Sequence, residues 1–114
     1  MPTISINTTA ETAVIKVCGA LDMLSSHLLA DAIAVAGHEP VVLVSFEDCS
    51  YLDSTILSVL VRQTRVMRER LVLLVPKDGY VRRILELCGL LDVLHVVSAW
   101  PERFQPARLA RISA

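Results

Sequence analysis

The sequence predicts a single α/β domain: a mixed β-sheet of about four or five strands packed with about four α-helices. Three observations carry this. Segments rich in β-branched residues alternate with stretches of helical periodicity along nearly the whole chain. Two of the strand segments, VVLV and LVLLV, are apolar at every position, as expected for strands covered on both faces of a parallel sheet. The 114 residues, 54% of them apolar, suffice for one buried core, and no repeat, low-complexity block or linker divides them.

Residues 3–7 (TISIN) and 12–18 (TAVIKVC) alternate apolar and polar positions across a short Thr-Ala-Glu link, which predicts an antiparallel hairpin with Gly19 breaking its second strand. From Asp22 to Ala36, Leu24, Leu28, Leu29, Ala32, Ile33 and Ala36 recur at helical spacing, with Asp31 on the opposite face. Gly37 ends that helix, and Val41–Val44 is the expected central strand. A loop, SFEDCSYLD, leads to a helix from Ser54 to about Arg68. Its inner side is Ile56, Leu57, Val59, Leu60, Val61 and Met67; Arg62, Arg65 and Glu69 face water.

Leu71–Val75 is the second apolar strand, stopped by Pro76, and Asp78 is placed to cap a third helix with Val81, Ile84, Leu85 and Cys88 on one face. Gly89 suits the left-handed position after that helix, and Val93–Val97 is the last strand. The domain spans residues 1–98. Residues 99–114 form a C-terminal tail or short docked helix, whose Trp100 and Phe104 are expected to cover core rather than to anchor a partner.

Eleven basic against twelve acidic residues leave a net charge of −1, which disfavours nucleic acid as a partner. The N-terminus lacks the pattern of a secretory signal and no apolar run reaches about 18 residues, so a cytoplasmic chain without membrane insertion is expected. Cys18, Cys49 and Cys88, odd in number and widely spaced, suit reduced, buried thiols. His27, His38 and His95 lack metal-ligand spacing, and neither a nucleophile elbow nor a phosphate-cradling glycine loop occurs. No metal, no cofactor and no catalytic residue is therefore expected, and the chain is read as a non-enzyme. Arg62, Arg65, Arg68 and Arg70 read as a solvated face; a binding role for them would need an acidic partner.

The informative segment is Tyr51-Leu52-Asp53-Ser54-Thr55, where a strand region meets the start of an amphipathic helix. Asp, Ser and Thr there are ordinary N-cap residues. The same geometry suits a switch, because a phosphate on Ser54 would bring about −1.5 to −2 charges to a helix end whose dipole and unpaired amides tolerate an anion.

With this segment the chain resembles the STAS-domain anti-sigma factor antagonists (anti-anti-sigma factors), whose hallmark is a hydrophobic pair followed by Asp-Ser-Ser/Thr-Gly-Leu. Gly19-Ala20-Leu21-Asp22 looks like the family's Gly-Glu-Leu-Asp, Val42–Cys49 like its central strand, and Val81-Arg82-Arg83-Ile84-Leu85 with Gly89-Leu90 like its late helix and turn. The resemblance covers roughly residues 10–98. It implies a bacterial partner-switching protein that binds an anti-sigma factor that is also a serine kinase, is phosphorylated on Ser54 (Thr55 being the second choice), and is reset by a phosphatase. It further implies partner contacts at Asp22, Asp53, Ser54, Thr55 and Ile56.

Two departures stand out. Ile56-Leu57-Ser58 replaces Gly-Leu-Gly, and Ala20 replaces a frequent glutamate. They keep open a phosphorylation-silent scaffold or a regulatory subunit of a signalling complex or transport ATPase. The high apolar content also leaves room for a homodimer face.

Overall fold

A computed structural model of the protein describes residues 2–9 and 11–104, apart from the Arg103 side chain. Among the described residues it is a five-stranded mixed sheet in sequence order, with three α-helices and two short 3₁₀ turns at Arg68–Arg70 and Glu102–Phe104, the α/β domain expected. Strand β1 (Thr3–Thr8) pairs antiparallel with β2 (Thr12–Leu21), and the Thr9 amide closes their link on the Thr12 carbonyl at 2.8 Å. β2 buries Ala13, Ile15, Val17 and Leu21 while Lys16 and Ala20 face water, the period-two pattern of a half-buried strand. Gly19 does not break this strand. Its φ of +89° coincides with a shift in register between Gly19 and Ala20, so a residue without Cβ lets the strand bulge and continue to Leu21.

Strand β3 (Val41–Leu52) runs parallel to β2 and to β4 (Leu71–Leu74), and β5 (Val96–Val97) runs parallel to β4. β3 is three times longer than the apolar run that predicted it. Exposed Glu47, Asp48, Ser50 and Tyr51 read as loop in the sequence, yet their stretch of backbone pairs with β2 as far as Leu21↔Leu52. β4 pairs only with Val42–Ser45, so the second half of the β2–β3 pair overhangs the rest of the sheet.

All three helices lie on one face: α1 (Ser26–Ala36), α2 (Ser54–Met67) and α3 (Tyr80–Leu87) contribute Leu29, Ile33, Ile56, Leu60, Val81 and Leu85 to one core with Ile15, Val44 and Leu73. α1 begins four residues later than its periodicity suggests. The Asp22 carboxylate and carbonyl take the amides of Leu24 and Ser25, each at 3.0 Å, in a turn that competes with helix. Leu24 and Leu28 consequently face water, Leu24 being 80% exposed.

α2 starts at Ser54 as predicted. At its far end Arg68 adopts φ +56° and ψ −131°, a conformation that favours glycine. α3 is not capped by Asp78: Gly79, at φ +110°, is its N-cap and no side chain bonds its first amides. Because α3 ends at Leu87, Cys88 is exposed rather than on the inner face, and Gly89 takes the expected left-handed position at φ +69°. Residues 91–95 are turns, with the Leu94 amide on the Leu90 carbonyl at 2.9 Å, which shortens the last strand to Val96–Val97. The sheet's other face carries a smaller cluster of Leu43, Val72 and Leu74, closed by Phe104 with Trp100 beside it. The remainder of the expected 99–114 tail, from residue 105, lies outside the described residues.

Candidate functional site

The overhanging β2–β3 pair builds the site. Leu21 and Leu52 are register partners, so the residues that follow them, Asp22 and Asp53, leave neighbouring strand ends together although thirty-one positions separate them. Asp53 is half-buried with extended backbone, as an N-cap requires. Its Oδ1 accepts the amides of Thr55 at 3.0 Å and Ile56 at 3.3 Å, and its Oδ2 accepts the amide of Met23 at 2.9 Å. One carboxylate thereby starts α2 and fastens the turn before α1. That turn is itself closed by Asp22 and Ser25, whose hydroxyl lies 3.1 Å from the Asp22 amide and 3.2 Å from its carboxylate.

Ser54 is exposed, Thr55 half-buried and Asp22 exposed, so four of the five side chains singled out from the sequence gather at one surface. Ile56 does not join them. It is fully buried in the core, because the third residue of α2 falls on the helix's inward stripe. The expectation of unpaired amides for an anion also needs correction: those of Thr55 and Ile56 already serve Asp53. A phosphate on Ser54 would stand beside a carboxylate and point outward, not into a cradle.

Four docking candidates escaped the sequence reading. Met23 is 68% exposed next to Asp53, and Leu24 follows it. Tyr51, just before the Leu52-Asp53 corner, stacks on Tyr80 at the start of α3, ring centroids 5.3 Å apart, and both rings remain partly open to water. Met23 and Leu24 carry a signal in retrospect, two apolar residues beside a turn-forming aspartate. Nothing local marks Tyr80, whose partner is set by the fold.

From Ser54 an open groove of about 430 Å³ runs along α2, lined by Leu57, Ser58, Val61, Arg62 and Arg65. The arginine run splits: Arg62 and Arg65 line this groove, Arg68 holds the strained corner, and Arg70 donates to the Gly37 carbonyl. All three cysteines are free; Cys18 and Cys49 are half-buried, whereas Cys88 departs from the expected burial. Burial pushes the Cys49 thiol up in pKa, opposed by a hydrogen bond with the Tyr51 backbone and aided by Cys18, so it is a protonated, weakly nucleophilic thiol at neutral pH, its S–H donating to the Tyr51 carbonyl at 3.3 Å. His27, His38 and His95 are exposed on separate elements, and among the described residues no three His, Cys, Asp or Glu side chains form a metal-binding group. No helix of the described residues is long and apolar enough to cross a membrane.

Several solved structures described as anti-sigma factor antagonists share this architecture. The unphosphorylated form of SpoIIAA, a Bacillus cell fate determinant and anti-sigma factor antagonist, superposes with a TM-score of 0.65 at 21% identity, covering 98% of this chain and 99% of that one. An anti-sigma factor antagonist from Mycobacterium paratuberculosis gives 0.72 at 19% identity over 100% and 96% of the two chains. A putative one from Thermotoga maritima gives 0.74 at 14% over 97% and 95%. At these identities the likeness is one of fold. No curated protein matches the sequence. The family model described as "Mlab, STAS domain" matches residues 4–97, nearly the whole described chain, and with the mixed sheet and the Asp53-capped helix behind that match, the chain belongs to the STAS domain family.

Proposed function

We propose that this chain is an anti-sigma factor antagonist: a cytoplasmic, non-enzymatic module that reversibly docks an anti-sigma factor with serine kinase activity on the surface around Ser54. The observation that carries the reading is the position of Ser54, exposed next to the Asp53 carboxylate that ties α2 to the Met23 turn, with Met23, Leu24, Tyr51 and Tyr80 exposed on the connections that meet there. Methionine and aromatic side chains of this kind are favoured anchors in protein interfaces. Asp22, Asp53 and Thr55 complete the docking surface; Ile56 acts only from inside, holding α2 on the core.

Phosphorylation of Ser54 is the switch in this reading. The hydroxyl oxygen takes the terminal phosphoryl of ATP held by the partner, ADP leaves, and a charged, hydrated group then stands where apolar contacts would form. A phosphatase restores the serine. The phosphorylated form of SpoIIAA, which shares the fold at 20% identity, is a precedent for such a state.

A second reading is a phosphorylation-silent scaffold or regulatory subunit, and it has an observation of its own: Asp53 already occupies the amides that would have received an anion. Intact mass of the protein from its own cells, with fragmentation, separates the two. One phosphate on Ser54 supports the switch; protein unmodified through growth and stress supports the scaffold. In binding assays with the kinase, Ser54→Ala should bind persistently and Ser54→Asp should weaken binding at least tenfold. Equal binding by both variants would remove the switch from this position.

A further inference from the structure

We propose that the groove along α2 receives an acidic, amphipathic helical segment of the protein partner, with Arg62 and Arg65 pairing its carboxylates and Leu57 and Val61 meeting its apolar side. Leu57, Ser58, Val61, Arg62 and Arg65 lie three, four, seven, eight and eleven residues after Ser54, which places all six on one broad face of α2. The groove they line is about 430 Å³ and spans about 16 Å of helix, matching some three turns of a partner helix. Its lining is as much polar as apolar: Leu57 is buried and Val61 half-buried, while Ser54, Ser58 and the two arginines are exposed.

Charge decides the occupant. Among the described residues neither Arg62 nor Arg65 forms an ion pair, while Arg70, four residues farther along, is bound to the Gly37 carbonyl. No acidic residue lines the groove, so its complement is an acidic surface rather than a basic one. Leu57 and Val61 with Arg65 and Arg62 to one side of them is also an arrangement that a docked amphipathic helix with carboxylates on its polar side satisfies. A phosphate on Ser54, at the groove's end, would place like charge against such a segment and assist its release.

The inference rests on the reading that this surface docks a protein, but not on phosphorylation. The test uses unmodified full-length protein and two synthetic peptides of about 14 residues, leucine on one face and either glutamate or lysine on the other. In two-dimensional amide NMR the glutamate peptide should perturb residues 54–65 and bind at least tenfold more tightly than the lysine peptide. Raising salt should weaken it, as for exposed charges. Arg62→Glu with Arg65→Glu should invert the preference, and Arg62→Gln with Arg65→Gln should abolish it at unchanged helix content by circular dichroism. Equal affinities, perturbation confined to other residues, or no perturbation by the glutamate peptide would overturn the proposal. So would concentration-dependent shifts of residues 54–65 without peptide, which would assign the groove to a second copy of the chain. An unphosphorylated Ser54 in cells leaves this result standing, so the two readings fail separately.

Discussion

The two ends of α2 are built on opposite principles. At its N-terminus Asp53 takes three amides, two from the helix and one from Met23 on the neighbouring connection, so the backbone on either side of the exposed serine is anchored. At its C-terminus Arg68 is held at φ +56°, and nearby Thr64 Oγ1 and Arg70 Nε are buried with no hydrogen-bond partner among the described residues. Unfavourable backbone is tolerated where the chain must turn sharply into β4, and none is found among the described residues around Ser54. The contrast indicates that the Ser54 surface is preorganised: binding there need not order the loop, which lowers the entropic cost of docking.

The largest effect that could break this contrast comes from Asp53→Ala. It removes three charge-assisted bonds and should lower stability by about 2–3 kcal/mol, read as a lower urea midpoint at unchanged slope. A loss below about 0.5 kcal/mol would mean that the N-terminal end is no better held than an ordinary loop. At the other end the sign reverses. Arg68→Gly relieves a conformation costing about 1–3 kcal/mol and gives back part of that in chain entropy, so a net gain of about 1 kcal/mol is expected. Destabilisation by this substitution would show that the guanidinium matters more than the backbone.

The third test uses α3 as a control. Asp78 makes no cap bond, so Asp78→Ala should shift stability by no more than about 0.5 kcal/mol, against the much larger loss at Asp53. A comparable loss at both aspartates would erase the distinction. A chemical probe gives the mildest test: iodoacetamide should modify exposed Cys88 well before half-buried Cys49, whose raised pKa keeps it a thiol, with peptide mass mapping as the readout.

These predictions follow from details that were unevenly legible in the sequence. The apolar strands and the start of α2 are local matters. VVLV and LVLLV declare burial on both faces, and Asp53-Ser54-Thr55 ahead of an apolar stripe declares a capped helix. Asp78 looked like the same signal. It failed because Gly79 intervenes with a positive φ and moves the helix start one residue on. The overhang of β3 was illegible for a different reason: exposed polar residues give a strand no period-two signature, and only their pairing with β2 makes them one.

By itself the sequence determined the fold class, the positions of the apolar strands and of the Ser54 helix, and the residues that make the family recognisable, because each depends on contacts or propensities within a few positions. The tertiary structure decided what those residues share. The Leu21↔Leu52 register brings Asp22 beside Asp53, the α3 connection brings Tyr80 onto Tyr51, and the core draws Ile56 inward away from the surface. Such pairings are set by sheet register and by which face of a helix meets the core, and both are properties of the assembled layers.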